Sequence, residues 1–122
     1  MLALNDFKNK NIHFIAIGGH SMCGLAEILH NWGFRHISGS DRADSEAVRR
    51  LADMGIKISI GHSVENVKNA DLVVFSAAIP PENCERAYAE KNGIPCIDRA
   101  AMMGYISKEC EKCIAIAGTH GK

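Results

Sequence analysis

The residues of this chain best suited to chemistry stand in two glycine turns, one near each end. Residues 114–122 read Ile-Ala-Ile-Ala-Gly-Thr-His-Gly-Lys, an apolar run that breaks into a turn and closes on Lys122. In a phosphate-binding loop a buried strand delivers such a turn, and its backbone N–H groups face phosphate oxygens. A lysine follows, and then a Ser or Thr hydroxyl that holds Mg²⁺. Gly118, Thr119, His120, Gly121 and Lys122 match the first part of that pattern. The expectation is the opening of an ATP site whose hydroxyl and helix lie beyond Lys122, with too little of it present to hold ATP tightly.

The other turn is Ala16-Ile17-Gly18-Gly19-His20-Ser21-Met22-Cys23-Gly24, between an apolar run and an amphipathic one. Small residues there let the backbone approach a diphosphate, and a helix N-terminus adds unpaired N–H donors and roughly half a positive charge. Set against the dinucleotide pattern G-x-G-x-x-G, Ala16 and Ser21 replace the outer glycines and only Gly18 is kept. A tight turn with Ser21 as helix cap is the competing reading. About twenty residues on, Asp41 closes Ser38-Gly39-Ser40-Asp41, where a carboxylate could accept from ribose hydroxyls. It could also merely open the turn into Arg42-Ala43-Asp44-Ser45. His62, after the third apolar run, is a candidate donor to a base or phosphate. After the fourth, Ser76, Ala77 and Ala78 offer hydrogen bonds and room for a flat base.

Positioning these groups falls to alternating short strands and helices. Ile12–Ile17, Ile37–Ser40, Ile56–Ile60, Leu72–Phe75, Pro95–Ile97 and Cys113–Ala117 are short and rich in Ile and Val, as expected for strands covered on both faces. Between them Met22, Leu25, Ala26, Leu29 and Trp32 recur at helical steps, as do Val48, Leu51 and Ala52. Gly33, Gly55 and Gly93 each precede or follow an apolar residue where a helix should end and a strand begin. Repetition of helix, glycine and strand implies parallel strands with right-handed crossovers. The expected fold is α/β: a Rossmann-like, doubly wound, mostly parallel sheet with helices on both faces, in a single domain. Ligands of such sheets sit beyond the carboxyl ends of the strands, so all the loops above should share one rim.

The 122 residues suffice for one domain with a sizeable core. Fourteen basic residues balance fourteen acidic ones, which gives no electrostatic footprint for nucleic acid. No apolar run approaches the roughly 20 residues of a membrane span, and the start lacks a secretory layout, so a cytoplasmic protein is expected. The five cysteines, at 23, 84, 96, 110 and 113, are odd in number and scattered, against a disulfide framework. Cys110 and Cys113 have metal-site spacing without a second pair, and no metal site is expected.

Ile17-Gly18-Gly19-x-x-Met22-x-Gly24, Ser38-Gly39-Ser40-Asp41, Gly61-His62, Ser76-x-Ala78-Ile79-Pro80 and Ala117-Gly118-Thr119-His120-Gly121-Lys122 together resemble the N-terminal part of the Mur ligase family, over about Asn11 to Lys122. The resemblance implies a first domain that holds the UDP part of UDP-N-acetylmuramate, a central domain for ATP and Mg²⁺, and a third that receives L-alanine. On that basis residues 1–113 form the UDP-substrate-binding domain, and 114–122 are a last strand and the start of the ATP loop. Gly18, Gly19, His20, Ser21 and Met22 would meet the diphosphate, while Asp41, His62, Ser76, Ala77, Ala78 and Ile79 would surround the uridine. No catalytic residue is implied within the chain. Where the family usually has glycine, this chain has Ala16 and Ser21. The rivals are an NAD(P)-binding oxidoreductase domain, a sister ligase that recycles muramyl peptide, and a regulatory domain that senses nucleotide.

Overall fold

The computed structural model describes the backbone of residues 3–117 and the side chains of residues 3–111. Five parallel strands, β1 (Asn11–Ile15), β2 (His36–Asp41), β3 (Lys57–Ile60), β4 (Leu72–Phe75) and β5 (Cys96–Asp98), lie in the order β3-β2-β1-β4-β5. Four helices accompany them: α1 (His20–Asn31), α2 (Glu46–Asp53), α3 (Cys84–Lys91) and α4 (Arg99–Ala117). The order reverses between β1 and β4, which makes the gap beyond their carboxyl ends the place where a ligand of such a sheet would sit.

Gly33, Gly55 and Gly93 stop α1, α2 and α3 at φ of +93°, +102° and +75°, as the spacing predicts. β1 ends at Ile15, two residues early, because Ala16 turns the chain at φ +63°. That left-handed conformation disfavours a Cβ and explains why glycine suits the position better.

Alternation along the strands gives the sheet two unlike faces. On one, Ile12, Phe14, Ile37, Leu72 and Val74 meet Leu25 and Leu29 of α1, Leu51 of α2, and Met102 and Ile106 of α4. Ala52, expected in that stripe, is exposed, because α2 is short and only Val48 and Leu51 turn inward. On the other face Ile15 and Val73 pack with Val67 and with Ala89 of α3. The crossover from β3 to β4 on this side carries only a 3-10 turn, Val64–Asn66. It leaves a polar hollow of about 480 Å³ beside His13, Ser38, Lys57, Ser59 and Asn66.

The expected last strand, Cys113–Ala117, is instead helical backbone at the end of α4. A short apolar run fits either state, and between Tyr105 and Ala117 there is no Gly or Pro to stop a helix already under way. Residues 114–117 are thus continuous with the last helix of the domain. Gly118, Thr119, His120, Gly121 and Lys122 lie outside the described residues.

Candidate functional site

All four helices follow strands, and their caps differ; Asp98 Oδ1 accepts from the Ala101 N–H at 2.8 Å to cap α4. Ser45 Oγ accepts from the Val48 N–H at 3.2 Å to cap α2, and Asn83 Oδ1 accepts from the Glu85 and Arg86 N–H groups at 2.9 and 3.2 Å to cap α3. Helix α1 starts from Gly19, which has no side chain to offer. Among the described residues the N–H groups of His20, Ser21 and Met22 have no partner. Ser21 is the second residue of α1 and exposed, so the capping role weighed for it does not occur. An uncapped N-terminus at the carboxyl end of β1 leaves N–H donors and partial positive charge that an anion can satisfy. Met22 contributes only backbone to it, since its side chain is buried in the core.

Gly18 is small for a reason the sequence did not suggest. Its N–H donates to Asp41 Oδ2 at 2.8 Å, and a Cβ there would come within 2.8 Å of both that oxygen and Val48 Cγ2. Asp41 Oδ1 also accepts from the Ala43 N–H at 3.2 Å. The carboxylate is therefore a clamp on the turn before it is a ligand for anything else, although its remaining lone pairs can still accept. Next door, Gly39 has no space for a Cβ, which would overlap Ile17.

The strand ends meet in a continuous chain of hydrogen bonds. Ile17 N–H donates to the Ser40 carbonyl at 2.9 Å, and Gly61 N–H to the Asp41 carbonyl at 2.7 Å. His62 follows Gly61, so it stands at the same rim as Gly18, Gly19 and Asp41. On the far side of β1, the Ser76 carbonyl accepts from the Ile79 N–H at 3.0 Å and closes a turn that leaves Ala77 and Ala78 exposed. The Ile79 side chain is buried beside Val73 and is core rather than contact surface. Arg86 fastens that turn by donating to the Ile79 carbonyl at 2.7 Å while lying 4.1 Å over the Phe75 ring. The 480 Å³ hollow is elsewhere, toward the amino ends of the strands, and none of the residues named for the site lines it.

Beneath the rim lies a cluster that the sequence reading missed. Glu85, fully buried on α3, accepts at Oε1 from His13 Nε2 at 2.9 Å and from Ser40 Oγ at 2.6 Å. At Oε2 it accepts from the Ser63 N–H at 3.0 Å and Asn66 Nδ2 at 2.7 Å. His62 Nδ1 bonds Ser40 Oγ at 3.0 Å, and His13 Nδ1 bonds Ser38 Oγ at 2.9 Å. Burial pushes the Glu85 carboxyl upward, but hydrogen bonds from His13, Ser40 and Asn66, with the His13 charge, outweigh it and bring it down to about 2. One signal was available: His13 interrupts an otherwise apolar strand, and a buried imidazole requires partners.

Residues 11–110 match the Mur ligase family, catalytic domain. The UDP-N-acetylmuramate--L-alanine ligase of Alkaliphilus metalliredigens is 52% identical over 124 residues, covering 100% of this chain and 27% of that protein. Among solved structures, UDP-N-acetylmuramate-alanine ligase MurC from Thermotoga maritima aligns with a TM-score of 0.74 and 28% identity over 85% of this chain and 23% of its own. The UDP-N-acetylmuramate:L-alanyl-gamma-D-glutamyl-meso-diaminopimelate ligase from Neisseria meningitides gives 0.68 and 29% over 75% of this chain and 29% of its own. The chain spans about a quarter of the length of the curated relatives it matches. A Rossmann-like parallel sheet with an uncapped glycine turn, and a match that runs through nearly every described element, lead to one conclusion: the chain belongs to the Mur ligase family.

Proposed function

We propose that this chain is the nucleotide-holding domain of an ATP-dependent ligase that joins L-alanine to UDP-N-acetylmuramate in peptidoglycan synthesis, in the cytoplasm. The observation that carries the reading is the bare N-terminus of α1, three unpartnered N–H groups beyond the carboxyl end of β1, next to the point where the strand order reverses. A diphosphate satisfies those donors, and Gly19 leaves the approach open. Asp41 holds the turn in shape and keeps acceptor capacity toward a ribose; His62 and the Ser76–Ile79 turn flank the space for the base. The relatives' names supply the nucleotide sugar and the amine.

The work of this domain is positioning. Gripping the nucleotide end of a long substrate fixes the distant carboxylate where it is to react, so that binding energy replaces lost translational freedom. ATP and Mg²⁺, held by the remainder of the protein with Gly118, Thr119, His120, Gly121 and Lys122 opening the loop, supply activation of that carboxylate. A second reading, a ligase that joins a peptide to the same nucleotide sugar, draws on the Neisseria structure. The amine consumed by the full-length protein separates the two.

Ser21→Asp tests the site without disturbing the fold. A carboxylate in the first turn of a helix stabilises it by a few tenths of a kcal/mol yet repels a diphosphate seated there. Calorimetry should show the chain binding UDP-N-acetylmuramate in preference to NAD, and the variant binding at least about tenfold more weakly with an unchanged or higher melting temperature. Equal affinity in the variant, or tighter binding of NAD by the native chain, overturns the reading.

A further inference from the structure

The cluster under the rim fixes a proton, and that has a consequence for which base the site accepts. An ionised carboxylate can only accept hydrogen bonds. Ser40 Oγ lies 2.6 Å from Glu85 Oε1, so the single hydroxyl proton is directed to Glu85. The same oxygen lies 3.0 Å from His62 Nδ1 and, with its proton committed, must accept there. His62 therefore carries its proton on Nδ1, which also faces Glu85 Oε2 at 3.5 Å. A neutral imidazole has one N–H, so Nε2 is left with a lone pair. Among the described residues Nε2 has no partner, and the side chain is 21% exposed. The loop that carries it is held by the same carboxylate, through the Ser63 N–H and Asn66 Nδ2.

A hydrogen-bond acceptor at this rim distinguishes the two pyrimidines. The ring of uracil presents an imide N–H between two carbonyls, whereas cytosine has a bare nitrogen at that position, and two lone pairs repel. We propose that Glu85, acting through Ser40, locks His62 in the Nδ1–H form so that its Nε2 accepts from the imide N–H of uracil, making His62 the residue that selects uridine over cytidine nucleotides. Glu85 and Ser40 are positioning residues; of the three, His62 is the one that touches the base. The inference rests on the nucleotide reading above and extends it to the choice of base.

The test has two arms on the 122-residue chain. Long-range ¹H–¹⁵N correlation at about pH 8 reports the tautomer of His62 directly, and the expected result is Nδ1–H. Calorimetry with UDP and CDP reports discrimination. UDP should bind at least about tenfold more tightly than CDP, and Ser40→Ala should remove most of that ratio and leave His62 a mixture of tautomers. His62→Leu, which keeps the side chain's bulk and loses the acceptor, should bring the ratio close to one, and it serves if Ser40→Ala does not fold. An Nε2–H or doubly protonated His62 in the native chain overturns the inference even if UDP binds. So does an unchanged ratio in either folded variant. Failure of both nucleotides to bind overturns it together with the reading beneath it.

Discussion

Toward α1, α2 and α4 the sheet presents Ile12, Phe14, Ile37, Leu72 and Val74; toward α3 and the 3-10 turn it presents His13, Ser38 and Ser40 beside Ile15 and Val73. Both sides are well buried, yet they are held by different forces. The first depends on apolar area removed from water, which is non-directional and tolerant of small shifts. The second depends on one carboxylate with four donors, each of which must sit at hydrogen-bonding distance or become a buried cost. What differs is the information each side transmits. The apolar side makes the domain stable; the polar side sets where the β3–β4 loop stands and where its protons are.

The sharpest way to break this comparison is to delete its centre. Glu85→Ala leaves His13, Ser40, Asn66 and the Ser63 N–H without their acceptor, and the expected loss is about 4 kcal/mol by urea denaturation at neutral pH. Leu29→Ala on the opposite face should cost about 3 kcal/mol through the cavity it leaves. A loss below about 1 kcal/mol for Glu85→Ala would mean that the network is ornamental to stability.

Acid separates the faces more finely. Because the Glu85 carboxyl is lowered in the folded chain to about 2 from an ordinary value of 4.5, its contribution is complete above about pH 4.5 and fades as pH falls toward 2. The amount at stake is about 3 kcal/mol. Denaturation midpoints taken from pH 6 downward should drop through that window in the native chain, with Glu85→Gln showing a much shallower slope and Leu29→Ala the native one. A Gln variant with the full native slope would place the titration elsewhere.

The smallest expected effect lies on the turn that joins the two faces. Ala16 sits at φ +63°, and Ala16→Gly should raise stability by about 0.5–1 kcal/mol, the relief of the strained Cβ less the added freedom of the unfolded chain. A lower melting temperature would show that the Ala16 methyl, which packs against the Ile15 and Val73 cluster, outweighs the strain.

The contrast also explains what was readable from the residues alone. Strands, helix stops and the parallel order announce themselves through runs of Ile and Val and through Gly33, Gly55 and Gly93, because apolar patterning and left-handed turns are local properties. The rim followed, since sheet topology gathers strand ends. Glu85 did not, because Cys84-Glu85-Arg86 looks like any charged helical turn, and its partners lie 72 and 45 residues earlier at His13 and Ser40. Its place at the end of β2 marks Asp41 as a candidate ribose ligand or turn opener, but its clamp on Gly18 is a matter of distance across strands that no local pattern encodes. At Cys113–Ala117 the same apolar letters served helix as well as strand, and the helix in progress won.

The position of β1 has a bearing on how this protein is made. It precedes the other four strands of the sheet in the chain and is the central one, pairing with β2 on one flank and with β4 on the other, where Ile12 lies opposite Leu72. At roughly 5–20 residues per second, translation leaves one edge of that strand open for several seconds before its second neighbour exists. His13 waits longer still, until Glu85 has emerged. During synthesis the sheet therefore passes through a stage with an unfinished middle, when the apolar side chains of Ile12, Phe14 and Ile15 are at their most adhesive.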